Sequence, residues 1–522
     1  GTGCPGGAAA PDRGADEYFL VNVDASPIEV VVPAASSCPG VVVYKAKIKN
    51  TGLNALTSFT VNWQVATNSG TPSVKSPVSW TGTLAPGAEV TVTLGNVSMA
   101  KGSTYNVQLR TSNPNATTDG KTSNDTLNAV KETSMSGTYT VGGLSPDFAN
   151  FAAAKTALYS KGVCGAVTFN VRQGTYTEQL DFQAPIPGAS AVNNIRFRPD
   201  TGNTTSVTLR YNNDYTLRFG GNVGHIAFDS LNIETYGFAN VVEMNGINHH
   251  ISFNGANFKG TNSSSTTTSY AIFYLWNGKF TSNMTIENCK SQYGSNVIYA
   301  NNTYSGYSIT ANMMDSITIR NNEFTDFAYQ GLYFRGYKNV RILNNKIQNR
   351  SSGGYAYPSG MYLYYCDFIN IVGNEITLYN TTSGGSRGFY LYDCDGSTTN
   401  RNLIANNMIA KPVAGIANST SSDYIQYNNY SDFVHNSYYA KHTYTSSSYG
   451  MIRFYPGTGT TFSNNSIFND GGAGYCINIV GTPTSEKNNN YYNTVASRRR
   501  YPATGGTGNV SADPGYFSTS DL

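Results

Sequence analysis

The first part of the chain alternates between apolar and polar residues. Over residues 44–49 a tyrosine, an alanine and an isoleucine share one face and three lysines share the other, and residues 59–65 repeat the pattern with larger apolar side chains. A period of two with one polar face predicts antiparallel sheet. About seven short strands, separated by turns such as Ala85-Pro86-Gly87, predict an immunoglobulin-like β-sandwich over residues 21–136.

A helix is predicted directly after this region. The start of a helix is indicated by an N-cap, a first-turn proline and a favourably placed carboxylate, at Ser145, Pro146 and Asp147. Apolar residues then follow at helical spacing up to Gly162. A strand and helix over residues 137–164 would cover the open core end of a repeat array.

From about residue 165 a repeat of the form apolar-x-apolar-x-x-Asn-x-apolar takes over. The clearest copy is Ile317-x-Ile319-x-x-Asn322-x-Phe324. The repeated asparagines are Asn322, Asn345, Asn374, Asn407, Asn436, Asn465 and Asn490. An asparagine at a turn can bond the equivalent amide of the next coil while its backbone adopts the left-handed region. The repeat predicts a right-handed parallel β-helix over residues 165–522, with the asparagines as a structural ladder. At about 4.8 Å per coil, such a helix forms a stiff rod.

A second strand of each coil is marked by a glycine. These glycines are Gly331, Gly360, Gly388, Gly415 and Gly450. Cys366 and Cys394 both fall six residues after theirs, so we expect them to stack one coil apart. A stack of buried thiols and a disulfide both fit this spacing.

Tyrosines recur at fixed offsets from the same glycines. Tyr333, Tyr362 and Tyr390 lie two residues after theirs, and Tyr364 and Tyr392 lie four after, so both sets should point outward as ladders. Such ladders can stiffen a sheet as cross-strand pairs, and they can equally bind sugars or proteins.

Carboxylates are the main candidates for chemistry in the repeat region. Asp367 and Asp395 each lie seven residues after a glycine, and Asp393 is close to them in sequence. Stacked carboxylates repel one another unless a cation or a shared proton intervenes. They are therefore weak candidates for a calcium or catalytic site, and the alternative is a pair of solvated turn residues that diverge.

Two further groups of residues are candidates for catalysis or for calcium binding. His225, His249 and His250 fall in an early coil where a catalytic base could lie, but no pattern of acids accompanies them. In the sandwich, two aspartates and an asparagine between residues 119 and 125 could hold calcium, although Asx turns explain them more simply.

Composition excludes several functions. Charged residues make up 12% of the chain and the net charge is +3, which is not a nucleic-acid-binding surface. No apolar run is long enough to span a membrane. Seven cysteines without a Cys-x-x-Cys pair, together with only five histidines, do not predict a zinc site.

The sandwich resembles the bacterial cell-adhesion-related domain (CARDB). The resemblance is carried by the stretch Val-Tyr-Lys-Ala-Lys-Ile-Lys-Asn-Thr-Gly ending at Gly52, the turn Leu84-Ala85-Pro86-Gly87, and the closing Ser123-Asn124-Asp125. It covers about 110 residues and implies a module of large surface proteins.

Residues 137–519 resemble parallel β-helix proteins of the type IX secretion pathway. The resemblance rests on the segments 137–143 and 165–180. In such proteins a segment like 512–516 precedes one like 11–18, so residues 1–20 look like the end of a preceding β-helix. This order implies one unit of a tandem array.

Together these features predict a non-catalytic adhesin or filament segment at the cell surface, outside the cell. Its expected partners are neighbouring copies, other surface proteins and extracellular glycans, without nucleic acid or a membrane span. No cofactor is expected, calcium being the one candidate. The alternatives are a polysaccharide lyase or hydrolase and a glycan-binding module, because parallel β-helices carry such enzymes too.

Overall fold

The computed structural model describes residues 21–200, 207–302, 314–351, 357–379, 385–416, 422–442, 450–471, 474–495, 499–502 and 505–515. The chain divides into two compact units, Gly1–Ser136 and Gly137–Leu522. The tail predicted at residues 1–20 lies outside the described residues.

The first unit is built from two sheets. A three-stranded antiparallel sheet contains Ala25–Val32, Gly40–Asn50 and Glu89–Met99. A six-stranded sheet contains Ser36–Ser37, Leu56–Thr67, Ser73–Val74, Val78–Leu84, Thr104–Ser112 and Thr126–Thr133. One apolar core draws side chains from both sheets, as in the packing of Tyr44 on Trp63, whose ring centroids are 6.0 Å apart. The unit is all-β, and its assignment to the immunoglobulin-like class stays a prediction.

The helix of the second unit begins later than its sequence signals suggest. It spans Phe151–Lys161, and Asn150, not Ser145, is its N-cap, accepting a hydrogen bond from the Ala153 N–H. The predicted start is wrong because Asp147 is engaged elsewhere: its carboxylate accepts hydrogen bonds from the backbone N–H and the hydroxyl of Thr140.

Short 3-10 helices occur at Pro114–Ala116, Thr122–Asn124 and Thr268–Tyr270. No helix of the described residues has the length and apolar character needed to cross a bilayer.

Three parallel sheets make up the rest of the second unit, and we call them the first, second and third coil sheets. The first contains Met135–Val141, Val163–Val171, Ile195–Pro199, Gly224–Asp229, Asn248–Asn254, Thr281–Ser282, Met284–Glu287, Met314–Arg320, Tyr337–Leu343, Asn370–Val372, Asn402–Ala405, Ser431–Val434, Thr461–Ser463 and Ser485–Lys487. The second contains Gly174–Thr177, Val207–Asn212, Asn232–Tyr236, Asn257–Lys259, Lys290–Gln292, Glu323–Phe327, Lys346–Asn349, Glu375–Thr377, Met408–Ile416, Ser437–His442, Ser466–Asn469 and Asn490–Asn493. The third contains Leu180–Phe182, Leu217–Phe219, Val242–Met244, Phe273–Leu275, Asn296–Asn301, Gln330–Arg335, Ser359–Tyr364, Arg387–Tyr392, Asp423–Asn428, Gly450–Pro456, Tyr475–Ile479 and Arg500–Tyr501.

Each coil contributes one strand to each coil sheet, and inward side chains stack in columns. Ile319, Ile342 and Ile371 are paired in register on successive coils and are each 0% exposed. The predicted right-handed parallel β-helix is thereby confirmed.

The asparagine ladder lies at the turn between the first and second coil sheets. The Oδ1 atom of Asn374 accepts hydrogen bonds from the N–H of Asn345 at 3.0 Å and from its Nδ2 at 2.9 Å. Asn374 Nδ2 in turn donates to the carbonyl oxygen of Ile342 at 2.8 Å. Equivalent bonds place these asparagines in the ladder: Asn322, Asn345, Asn374, Asn407, Asn436 and Asn465.

The last predicted rung, Asn490, is wrong by one residue. The N–H of Asn465 donates to Oδ1 of Asn489, and Asn489 continues the ladder to Asn509. Asn490 instead begins a strand of the second coil sheet. Glu486 pairs in register with Phe462 of the preceding coil. This charged residue therefore occupies the inward position that is apolar in other coils. Without an apolar residue at that position, the sequence does not show which of the three consecutive asparagines, residues 488–490, belongs to the ladder.

The strand predicted to start at Gly415 is also wrong. Residues 415–416 belong to the second coil sheet, and the strand of this coil in the third sheet is Asp423–Asn428. Tyr390 pairs with Tyr424, so Ser422 occupies the position that Gly388 has one coil earlier. The glycine pattern fails at this coil because serine, and not glycine, precedes the strand.

We expect Asn374→Ala to lower the free energy of unfolding by about 1–3 kcal/mol, because it leaves a buried amide N–H and a buried carbonyl without partners. Urea denaturation measures the change. Asn370→Ala is the matched control: Asn370 is half-buried on the same coil and faces outward from its strand. Equal losses in the two variants would contradict a structural role for the ladder.

Candidate functional site

The outer face of the third coil sheet carries a continuous column of aromatic side chains. In most strands of this sheet one outward residue lies between two inward apolar residues, as Tyr333 lies between Leu332 and Phe334. In the strand Asp423–Asn428 the buried Asp423 takes the first inward place. The in-register outward residues form what we call the tyrosine column: Tyr274, Tyr299, Tyr333, Tyr362, Tyr390 and Tyr424.

The rings of the tyrosine column stack face to face. Successive centroids are 5.6, 4.8, 5.1, 4.0 and 5.2 Å apart, and the interplanar angles do not exceed 22°. This spacing follows the separation of strands in a sheet, about 4.8 Å. The three tyrosines predicted to share this position, Tyr333, Tyr362 and Tyr390, are its middle members.

A shorter column runs beside it. Tyr364 and Tyr392 pair in register, and their ring centroids are 4.8 Å apart. Arg335 precedes them in the same column, with its guanidinium carbon 5.2 Å from the centroid of Tyr364. The predicted second tyrosine ladder is thus a stack of two rings extended by an arginine.

Arginine side chains supply the charge of this face. Arg387 lies 5.2 Å from the centroid of Tyr390, and Arg453 lies 4.9 Å from that of Tyr455. Within the described part of the chain, the buried Nε atoms of Arg335 and Arg387 have no hydrogen-bond partner. The face therefore carries positive charge next to its aromatic rings, although these Nε atoms lie out of reach of an external ligand.

The hydroxyls of Tyr333, Tyr362 and Tyr390, the middle members of the column, stay protonated over the ordinary pH range. Burial raises the pKa of Tyr333 to about 12. Burial is also the main cause that raises the pKa of Tyr362 and Tyr390, whose hydroxyls hydrogen-bond to each other. Each ring therefore presents an apolar face together with a neutral hydroxyl that can donate or accept.

The column ends in a pocket of about 300 Å³ at Tyr274, which we call the column pocket. Glu243 precedes Tyr274 in the column, and Trp276 and Asp214 also line the pocket. Glu243 is 7% exposed and accepts hydrogen bonds from Asn240 Nδ2 at 3.0 Å and Trp276 Nε1 at 3.4 Å. Burial raises the pKa of the Glu243 carboxyl above its usual range.

Sequence reasoning missed this pocket and half of the column. Tyr274, Tyr299 and Glu243 lie in strands without the glycine used to align the later coils. A usable signal was nevertheless present, since each occupies the centre of an apolar-x-apolar triplet.

The aspartates predicted as a weak cation site form a hydrogen-bonded ladder of their own. Oδ1 of Asp367 accepts from the N–H of Asp395 at 3.0 Å, and Oδ1 of Asp395 accepts from the N–H of Asn429 at 2.9 Å. They therefore neither diverge nor lie fully in solvent, and Asp367 is only 6% exposed. Among the described residues, Asp367, Asp393 and Asp395 do not bring three carboxylate oxygens within 4.8 Å of one another.

The cysteines expected to stack are both buried free thiols. Cys366 and Cys394 lie on adjacent coils and interact through a side-chain hydrogen bond. Burial raises the pKa of Cys394 well above its usual value, so the thiol stays protonated. The structure thus contains the thiol stack and not the disulfide.

Two other groups of possible ligands converge. His225, His249 and His250 bring ring nitrogens within 4.8 Å of one another, although these histidines were considered only as a possible catalytic base. In the first unit, Asp119 and Asp125 converge with Asp24, and Asp119 also forms the expected Asx turn by accepting from the N–H of Lys121. Burial and the neighbouring aspartates raise the pKa of Asp125 to about 6.

This fold defines the chain as a right-handed parallel β-helix protein with an additional all-β unit. Residues 240–431 match the family model described as right handed beta helix region. No curated protein matches the chain.

The solved structures that match parts of this chain share little sequence with it. Lacto-N-biosidase GH136 from Eubacterium ramulus is 9% identical, with a TM-score of 0.43, over 72% of this chain and 67% of its own. An alginate lyase from Paenibacillus sp. str. FPU-7 is 13% identical, with a TM-score of 0.28, over 72% of this chain and 99% of its own. The CARDB domain of a Pyrococcus furiosus protein is 17% identical, with a TM-score of 0.16, over 22% of this chain and 85% of its own.

Asp367→Asn should make the stability less dependent on pH. Burial and the nearby carboxylates raise the pKa of Asp367 from 3.8 to about 6, so between these values the folded state binds a proton that the unfolded state has released. Stability therefore falls as pH rises through this window, by up to about 3 kcal/mol. Asparagine keeps the acceptor oxygen, as Asn429 does in the same ladder.

Urea unfolding at pH 3.5 and pH 7 measures this effect. We expect Asp367→Asn to be more stable than the wild type at pH 7 and equal to it at pH 3.5. Asp200→Asn, at an exposed carboxylate, should show no such difference. A uniform loss of stability at both pH values would contradict the assignment.

Proposed function

We propose that this protein is a non-catalytic, extracellular adhesive protein whose β-helix binds acidic glycans along the tyrosine column. The observation that carries the proposal is the unbroken stack of six tyrosines on one outer face. A stack that only stiffened the sheet would need neither the adjacent arginines nor the pocket at its end.

The chemistry of the face favours sugars. Flat rings with neutral hydroxyls offer apolar area and hydrogen bonds at a low entropy cost. Arg335 and Arg387 add positive charge beside the rings of Tyr364 and Tyr390. Asp423, in a neighbouring strand of this sheet, is buried and paired with Lys411. The positive charges at the surface thus favour carboxylate- or sulfate-bearing glycans over neutral ones.

A place outside the cell also forms part of this proposal. Cys38 and Cys164 each take part in a disulfide bond, and disulfides persist mainly in oxidising compartments. The resemblance of the first unit to a cell-adhesion-related module supports an adhesive role, with neighbouring copies as further partners.

Replacing Tyr362 and Tyr390 together by alanine should weaken retention on an acidic polysaccharide at least tenfold, because the two most tightly stacked rings are lost. Affinity electrophoresis with alginate and with a neutral glucan measures retention. Tyr439→Ala is the matched control, since Tyr439 points outward from the second coil sheet. If the double variant is retained as strongly as the control, the proposal fails.

A polysaccharide lyase or hydrolase is the second candidate, and the column pocket is the observation that favours it. Glu243 has the raised pKa and the aromatic surroundings of a general acid. Asp214 lines the same pocket and could serve as the second carboxylate that glycoside hydrolysis requires.

Glu243→Gln separates the two candidates. If the protein is an adhesin, neither the wild type nor this variant releases reducing ends or unsaturated products from acidic polysaccharides. Product release by the wild type that falls at least a hundredfold in Glu243→Gln would establish the enzyme and overturn the non-catalytic proposal. Unfolding curves of the variant exclude a loss of fold as the cause.

A further inference from the structure

Three of the five histidines of the chain meet on the first coil sheet, away from the tyrosine column. His225 comes from one coil, and His249 and His250 come from the next, where Gly224 pairs with His249. We propose that this histidine cluster binds a divalent transition-metal ion of the zinc type through three imidazole nitrogens.

The distances suit a small tetrahedral ion. The Nδ1 atoms of His249 and His250 are 3.1 Å apart and share a hydrogen bond, so a bound ion would take the place of the shared proton. Two ligands of a tetrahedral zinc ion, each about 2.0–2.1 Å from the metal, are separated by about 3.3 Å. A nitrogen of His225 lies within 4.8 Å of a nitrogen of each of the other two, and its ring, stacked on His250 at 4.6 Å, must turn out of this stack to complete the site.

The electrostatics favour neutral rings with free lone pairs. Burial, followed by the repulsion of the other histidines, lowers the pKa of His225 and of His249 below the usual value. Both rings are therefore neutral at pH 7 and available as ligands. The cluster contains no carboxylate. Three imidazoles select zinc, copper or nickel, whereas calcium and magnesium require oxygen ligands.

The turn of the first coil sheet places the histidine side chains of two coils above one another. His225 and His250 have φ values of 60° and 52°, in the left-handed region, and they occupy equivalent positions on adjacent coils. Later coils fill the same turn position with Asn283, Ser316, Asn339, Phe368 and Tyr430. The turn thus accepts rings as well as asparagine, and it fixes where the histidines lie without dictating that they are histidines.

Space for the third ring depends on a glycine. A Cβ atom at Gly224 would lie 2.1 Å from Cε1 of His249. Because φ of Gly224 lies outside the left-handed region, the glycine is required by the close approach of the ring and not by the backbone. His250 is exposed, which leaves one side of the cluster open for water as a fourth ligand.

Calorimetric titration of chelator-treated protein with zinc chloride tests the site. We expect the wild type to bind one more equivalent of zinc than the double variant His225→Gln/His249→Gln, or to bind zinc at least tenfold more tightly. His435→Gln, at a turn of a distant coil beside Asn464, should match the wild type. Replacing zinc with cobalt should give the strong visible absorption of tetrahedral cobalt in the wild type only.

Gly224→Ala gives an independent test that keeps all three ligands. Its Cβ atom should displace His249 and weaken zinc binding, while thermal unfolding of the metal-free variant checks the fold. Equal zinc binding by the wild type and the double variant would overturn the proposal. Binding of calcium as tightly as zinc would overturn the assignment to a transition metal.

Discussion

The hydrogen bonding of the turn between the first and second coil sheets is the interaction on which the β-helix depends. At this turn the chain changes direction in a buried place, where backbone N–H and carbonyl groups need partners. A left-handed residue such as Asn344 makes the bend, and the following asparagine supplies the missing acceptor and donor to the neighbouring coil. Every coil with a rung of the ladder, from Asn322 to Asn509, is therefore held in the same register as its neighbour.

A fixed register turns separate residues into columns. Inward columns form the core, and outward columns place like side chains at the strand spacing whatever the length of the loops between them. This is why Tyr299 and Tyr333, which are 34 positions apart in the chain, lie 4.8 Å apart as rings. The aspartate ladder and the histidine cluster arise in the same way, from equivalent positions on adjacent coils.

The sequence was a good guide wherever a residue type marked a backbone requirement. Asparagines at the buried turn and glycines before the third strand predicted the coils and the central tyrosines. Prediction failed where the residue that marks the position was absent. Glu486 stands where other coils have an apolar residue, so the ladder residue Asn489 was not recognised. Ser422 stands where other coils have glycine, so Tyr424 was not recognised as a member of the tyrosine column. The column pocket and the histidine cluster can be recognised only from distances between residues on different coils, because their members share no sequence motif.

The regular spacing of the tyrosine column has a consequence for any chain-like ligand that lies along it. Six nearly equivalent rings offer a short oligosaccharide several overlapping positions of similar energy. Such a ligand can move from one position to the next without leaving the surface, and the number of positions adds a favourable statistical factor to its binding. A polymer longer than the column gains the contacts but loses this freedom, so the face would hold long chains in place and let fragments slide.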